Sequence, residues 1–483
     1  MADIVPRSEM NNDPADIHAS VGGTFNINKV DPLELVTDAY TSFGGFRNGK
    51  YLVEHTRESE FEKRQGYTYY INLFKPVVDS LVDPLFKRDP GRDCDNDMYQ
   101  KFLENCDRNG NSFTQFMKRL AIKAKVHGIA FLVMDNLREQ PISKAEAEKG
   151  RIMPYVYMKL AKHVVFWEIN KFGELISIAF EEDAENTTND GKVKKQYRKW
   201  TKDGWQVYAK LEKGELKDPT DDNGTLKFSK LPVLPLFAAD PEENELIPNP
   251  PLYDIAALNA GIYNLSSELR AVMRSQGFNM LTLPVMGGNP PKDMEVGLDN
   301  ILPFPHDSKH RPDVLTFDPS VMDPYFKERE TLIKQIFQQA KLAGVSGQVE
   351  QKTGVAKAWD FQATDTVLSN YARDLEKVER LTAELFGKWI NAKVKIKISY
   401  PEDFGVVDVD EDINKHERLT DQGMPPEVIK ASKKQLVRNY FADMEPDEVQ
   451  ALVNAVENMA DDEIQGNAKD KDKDKPGVNE GNE

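Results

Sequence analysis

Residues 355–390, VAKAWDFQATDTVLSNYARDLEKVERLTAELFGKWI, set the scale of the fold. Trp359, Ala363, Leu368, Tyr371, Ala372, Leu375, Val378, Leu385, Phe386 and Trp389 recur at helical spacing. No Pro or Gly interrupts the run before Gly387. At about 1.5 Å per residue such a helix reaches roughly 50 Å. A single small domain cannot enclose it, so the helix is expected to join parts of a larger body. The chain has 483 residues, room for about three domains at roughly 150 residues each. That length buries a core without staples. The two cysteines, Cys94 and Cys106, exclude a disulfide scaffold and any cysteine-rich zinc or iron–sulfur site. They read as reduced cytosolic thiols.

Charge narrows the functional classes. The net charge is −17, with 40% apolar and 30% charged residues. Residues 399–483 hold 22 acids against 10 bases, which leaves the rest of the chain at −5. A nucleic-acid clamp needs a clustered basic surface. This distribution argues against a clamp, though not against a wall along which nucleic acid slides. No apolar run approaches the roughly 20 residues that span a bilayer, so no membrane role is expected. The first residues, MADIVPRSEMNNDPADIHAS, lack a basic and an apolar region, so secretion is not expected.

The elements follow in a definite order. Residues 1–30 are polar and aperiodic. DPLELVTDAYTSF (31–43) opens with an Asp and a Pro suited to a helix start. YTYYINLFKPVVDSLVDPLF (67–86) has Tyr70, Phe74, Val77, Val78 and Leu81 at helical spacing, with Pro76 as a kink or boundary. SFTQFMKRLAIKAKV (112–126) predicts an amphipathic helix, with Ser112 as N-cap and Phe116, Leu120 and Ala124 on one face. IAFLVMD (129–135) reads as a buried strand. From about 155 to 238 the period becomes two, broken by NKFG, NTTNDG and TKDG turns, which predicts a mostly antiparallel β region. With the preceding helices it makes an α+β domain. PLYDIAALNAGIYNLSSELRAVMRSQ (251–276) predicts a long helix, 277–322 a Pro/Gly-rich insert with short extended pieces, and 323–342 a returning helix. That helix is read as capped by Asp323 with Pro324 in its first turn. AGVSGQVEQKTG (343–354) is a glycine-rich loop, VKIKISY (394–400) a strand, and 411–460 further helices. The closing AKDKDKDKPGVNEGNE reads as low complexity.

Motifs that carry chemistry are scarce. The three Gly-Lys dipeptides, ending at Lys50, Lys192 and Lys388, precede Tyr51, Val193 and Trp389, so no phosphate-cradling loop of the GxxxxGK[ST] class occurs. No GxSxG or HExxH is present. His306 and His310 lie in a proline-flanked loop, where a surface role outweighs a metal one. Asp408, Asp410 and Asp412 resemble the opening of a calcium loop, but Ile413 and Leu419 replace the Gly and Glu that it wants. Trp167, Trp200 and Trp205 fit sheet packing better than base stacking. No nucleophile, base and orienting group stand out together, so neither catalysis nor a cofactor or metal is expected.

The order of elements, with PLYDIAALNAGIYNLSSELRAVMRSQGF, AKLAGVSGQ and TGVAKAWDFQATDTVLSNYARDLEKVE, resembles that of tailed-bacteriophage portal proteins over roughly residues 65–460. FMKRLAIKAKVHGIAFLVMDN and YYINLFKPVVDSLVDPLFKRDP are similar to the N-terminal portion of such proteins. The resemblance implies an α+β portal fold with wing, stem, clip and crown, its long helices around a central channel. It implies a flexible arm at 1–30, a wing at 31–250, a first stem helix at 251–276, a clip at 277–322 and a second stem helix at 323–342. A tunnel loop at 343–354, the long wing helix and strand at 355–408, a crown at 409–460 and a disordered acidic tail at 461–483 complete it. Family portals are rings, usually of twelve subunits, that replace one pentamer at a unique capsid vertex and conduct double-stranded DNA. They bind the packaging terminase, later the head–tail adaptors, and the major capsid protein, after assembly in the host cytoplasm. Alternatives are another virion assembly protein, such as a head–tail connector or scaffold, and an acidic hydrolase.

On this resemblance Gln348, Glu350, Gln351 and Lys352 of the tunnel loop face the channel and make weak, sequence-blind phosphate contacts, with pairing of Lys352 to a carboxylate an equal alternative. Arg270 and Arg274 lie near the outlet end of the first stem helix, where intersubunit salt bridges are the favoured use and contacts to DNA or an adaptor the alternatives. Lys292, Lys309 and Arg311 of the clip are expected at the adaptor. A strongly basic bore would hold DNA tightly; an acidic ring with isolated cations lets it slide.

Overall fold

The structure, a computed structural model, describes residues 30–55, 58, 61–136, 153–187, 193–226, 230–276, 280–285, 301–305, 313–315, 319–342, 354–401, 409–441, 444 and 446–459. The chain divides into two compact units, Met1–Phe404 and Gly405–Glu483.

The first unit opens with four short helices: α1 (Pro32–Thr41), α2 (Gly45–Asn48), α3 (Phe61–Tyr67) and α4 (Phe74–Ser80). Asp31 caps α1 by accepting the Leu33 N–H at 3.1 Å, and Pro32 occupies the first turn as its residue type predicts. The helix expected across 67–86 is shorter. Pro76 falls in the first turn of α4, where the missing N–H costs nothing, and its ring bars extension backward. The preceding residues run without regular structure. β1 (Gly91–Cys94) and α5 (Asp97–Glu104) follow.

α6 (Phe113–His127) carries the expected cap and face. Ser112 and Gln115 exchange bonds with each other's backbone in a capping box, and Phe116, Leu120 and Ala124 are buried. Ser112→Ala is expected to lower stability by about 1 kcal/mol, read as a shift in the urea midpoint. An unchanged midpoint would show that the cap contributes nothing.

β2 (Ile129–Asp135) is buried along its whole length because it is the central strand of a three-stranded antiparallel sheet, flanked by β3 (Tyr155–Leu160) and, later in the chain, by residues 233–237. β4 (Val164–Ile169), β5 (Leu175–Thr187), β6 (Val193–Thr201), β7 (Gly204–Glu212) and β8 (Glu215–Thr225) form a five-stranded antiparallel meander. β9 (Val233–Phe237) then completes the smaller sheet. The expected β region is therefore present as two sheets. One face of the meander turns Trp167, Ile178, Phe180 and Trp200 into a core shared with Ile129, Phe131 and Val133 of β2. Trp167 and Trp200 are thus packing residues. Gly204 admits no side chain, since a Cβ there would stand 2.1 Å from the Gly224 carbonyl oxygen.

α7 (Tyr253–Gln276) leads to three short strands, β10 (Met280–Val285), β11 (Ile301–Pro305) and β12 (Asp313–Leu315), and the chain returns through α8 (Asp323–Gln339). In this small sheet β10 is central, parallel to β11 and antiparallel to β12. Asp323 does not cap α8. A 3₁₀ turn at Pro319–Met322 makes Met322 the N-cap, without a side-chain bond, and moves Asp323 into the first turn. There its charge complements the helix dipole instead.

α9 (Gly354–Trp389) is the long helix, 36 residues in length. Leu368, Tyr371, Ala372, Leu375, Val378, Leu385 and Phe386 sink into a core built with α5, α6 and β2. After it, β13 (Ile396–Ser399) pairs antiparallel with β1, Gly91 opposite Ser399 and Cys94 opposite Ile396. A second core joins α1, α4, α7 and α8 through Val36, Val77, Ile255, Tyr263 and Ile336.

The second unit holds α10 (Val409–Asp421), α11 (Pro426–Tyr440) and α12 (Pro446–Glu457). Asp410 and Asp412 are helical there, which is not the backbone of a calcium loop. No described helix is long and apolar enough to cross a membrane.

Candidate functional site

Of the residues singled out from sequence, Arg270 and Arg274 lie among those described. Gln348, Glu350, Gln351, Lys352, Lys292, Lys309, Arg311, His306 and His310 lie outside them.

The two arginines belong to a groove that three segments build. The end of α7 presents Ser266, Leu269, Arg270, Met273 and Arg274, a helical 3–4 spacing that puts all five on one face. The start of α8 adds Phe326 and Arg329, one turn apart. The third wall is Tyr67, the last residue of α3, with Tyr69 and Ile71 of the irregular chain that follows it. The groove encloses about 400 Å³.

A single buried amide fixes that third wall. Asn259 of α7 accepts from the Tyr70 hydroxyl at 2.7 Å and from the Leu73 and Phe74 N–H groups at 3.0 Å, and donates to the Ile71 carbonyl at 2.9 Å. It also caps α4, which explains why that helix begins at Phe74. Asn264 repeats the device one turn on, donating to Tyr51 O at 2.8 Å and accepting from Val53 N at 2.7 Å. Arg64 then ties α3 to α7: it pairs with Glu58 at 2.6 Å and donates to Ser267 Oγ at 3.0 Å.

The arginines lie on aromatic faces. The Arg270 guanidinium is 3.3 Å from the Tyr69 ring centre, and its Nη1 donates to Tyr67 O at 3.2 Å. Arg274 stands 4.5 Å from the Tyr67 ring and Arg329 5.6 Å from Phe326. Stacking of this kind holds a guanidinium by one face and leaves its N–H edge open. Burial lowers Arg270 from its ordinary value. Sequence reading brought Arg270 and Arg274 together but missed Tyr67, Tyr69, Ser266 and Arg329. The alternation of Tyr67, Tyr69 and Ile71 was the available signal; it was overridden by the helical spacing of Tyr70, Phe74 and Val77.

A second cavity, of about 560 Å³, opens between α6 and β3 and is lined by Tyr40, Phe116, Lys123, Tyr155 and Tyr157 among others. Lys123 stands 5.4 Å from the Tyr40 ring, and burial lowers its pKa. Burial also pushes Tyr155 up to about 12. Thr37 Oγ1 lies 3.0 Å from His127 Nε2 and 2.6 Å from Leu33 O, bracing α1 against α6, and its one proton serves one of these two acceptors at a time. Among the described residues no group of three or more His, Cys, Asp or Glu is placed to hold a metal ion.

No known protein family matches the chain, and no curated protein resembles it in sequence. Among the solved structures that overlay on it are three with low scores. One, from the virion of a native gene transfer agent particle, covers 85% of this chain and 98% of its own at a TM-score of 0.38 and 10% identity. The neck of an empty gene transfer agent particle, computed with C6 symmetry, gives the same coverages and identity at a TM-score of 0.42. The neck of a native particle, computed with C12 symmetry, covers 72% of this chain and 84% of its own at 0.38 and 9% identity.

Proposed function

We propose that this chain is a portal subunit. Copies close into a ring, with twelve as the expected number, at the unique vertex of a tailed-phage capsid. Double-stranded DNA passes the bore during packaging and ejection. Terminase docks first and head–tail adaptors later, at the end carrying β10–β12, while the major capsid protein surrounds the ring. The chain is a conduit and not an enzyme; residues 251–276 and 323–342 are its stem, 277–322 its clip, and 409–460 its crown.

The observation that carries this reading is the α7/α8 hairpin. Two helices of 24 and 17 residues lead out to a small separate sheet and back. Most of α8 before Ile336 is exposed, and Met273 and Phe326 stand uncovered on the pair. α7 is anchored in the core by one face, whereas the outer face of α8 stands uncovered by the described residues of one copy. A face of that kind is suited to side-by-side packing around an axis, which is a head-to-tail interface that closes by rotation. The net charge of −17 also suits a bore that must not retain a polyanion. Negative-stain images of the purified 54.9 kDa chain are expected to show rings of several hundred kilodaltons with a central hole. A monomer or compact dimer at every concentration would reject the reading.

A further inference from the structure

We infer that the groove between α7, α8 and residues 67–71 receives an acidic side chain carried on an apolar surface of a second copy of this chain. The inference rests on the ring reading above and names one contact that would close the ring.

Three features of the groove converge on such an occupant. Ser266 is only 6% exposed and lines the floor, yet its hydroxyl has no hydrogen-bond partner among the described residues. A buried hydroxyl without a partner is costly, and a carboxylate seated at this end of the groove would accept a hydrogen bond from it. Arg270, Arg274 and Arg329 form no ion pair among the described residues. Glu268, the acid on this stretch of α7, faces His55 at 3.7 Å instead. The groove is thus a cationic spot without its counter-charge. Finally, the rim is apolar and open: Tyr69 is 55% exposed, Met273 50%, and Ile71 and Phe326 over a third. Clustered exposed apolar groups mark interfaces, and Tyr, Met, Phe and Arg are the residue types enriched at their centres.

Charge complementarity identifies the occupant. Each copy carries −17, so identical copies repel unless their contact sets local cations against acids. Beyond roughly 8 Å that repulsion is screened at physiological salt, and the local pairing decides. The rest of the surface is rich in acids, and this groove supplies the cations. A DNA duplex fits poorly. Phosphate contacts need no apolar rim, and a 400 Å³ groove holds a few side chains and not a double helix.

The test uses the full chain, with mass photometry over a concentration series. R270E/R274E is expected to raise the concentration at which rings dissociate by at least about tenfold. K210E, at an exposed side chain of β7 outside the groove, is expected to leave it unchanged. Rings equally stable in R270E/R274E overturn the inference and leave the ring reading standing. A wild-type chain that forms no rings overturns both. Should R270E/R274E misfold, a photo-crosslinking amino acid at the exposed Met273 decides: an adduct on an acidic peptide of a second copy supports the inference. An adduct on DNA in packaging extracts, on a different protein, or no adduct at all, overturns it.

Discussion

Replacing Glu379 by alanine is expected to destabilise the first unit by about 3–5 kcal/mol, the largest effect of any single side-chain charge in the described structure. Glu379 is fully buried on α9. Its carboxylate accepts from Arg92 Nε at 2.9 Å and Nη2 at 2.7 Å, and from the Tyr400 hydroxyl at 2.6 Å. Arg92, on β1 and 10% exposed, spends Nη1 on Thr114 Oγ1 at 2.7 Å and lies 5.5 Å from the Phe113 ring. Burial alone would lower the Arg92 guanidinium; the hydrogen bonds and charge of Glu379 outweigh it and leave Arg92 above its ordinary value. The network bolts the middle of α9 to the β1–β13 ribbon and to the start of α6. Without the carboxylate, a buried guanidinium and a buried phenol lose their acceptor together. Denaturant unfolding at one fixed protein concentration would measure the loss. The double variant R92M/E379L should cost far less than the two single losses summed, because it buries no unpaired charge. Additive losses would show that the pair is not coupled.

Acid is expected to weaken the same unit through His127. This side chain is 1% exposed, with Nδ1 2.9 Å from Lys123 O. A carbonyl oxygen only accepts, so Nδ1 carries the proton of a neutral ring. Burial lowers His127 from 6.5 to about 4, aided by the charges of Lys123, Lys162 and His163 and opposed by the bond to Lys123 O. The unfolded chain binds a proton at His127 below about pH 6.5, whereas the native chain does so only below about 4. The stability of the neutral buried ring is therefore complete above pH 6.5, erodes as pH falls toward 4, and changes no further below that. At about 1.4 kcal/mol per pH unit the loss reaches roughly 3 kcal/mol. His163, lowered to about 4 by burial and nearby lysines, adds in the same direction. Unfolding free energies of wild type and H127Q between pH 7 and 4.5 provide the measurement. H127Q should show the shallower dependence, and equal slopes would remove His127 from the acid response.

Which parts of this architecture could be read in advance depended on the range of the forces involved. Ser112 and Gln115 are three residues apart, so the start of α6 was legible. The apolar stripe of α9 and the turn residues between β4 and β8 were legible for the same reason, since periodicity and turn chemistry are local. β1 was not: Gly91-Arg-Asp-Cys94 has no alternation, and it is a strand only because Ile396–Ser399 offers it a partner. The boundary of α4 was blurred until Asn259 supplied its cap.

The groove divides along the same line. Arg270 and Arg274 could be marked because they share a helix face at i and i+4. Their ring partners are some 200 residues away in sequence, and the buried, unpartnered state of Ser266 has no sequence signature. The amino-acid order by itself determined which stretches coil, which alternate, where turns fall and how the charge is distributed. All of these follow from propensity and spacing over a few residues. Only the tertiary structure decided that Arg92 meets Glu379 across 287 positions and that three arginines line one groove with a buried hydroxyl. Such meetings are set by how distant elements pack, and chain closure carries no local trace of which distant side chain will arrive.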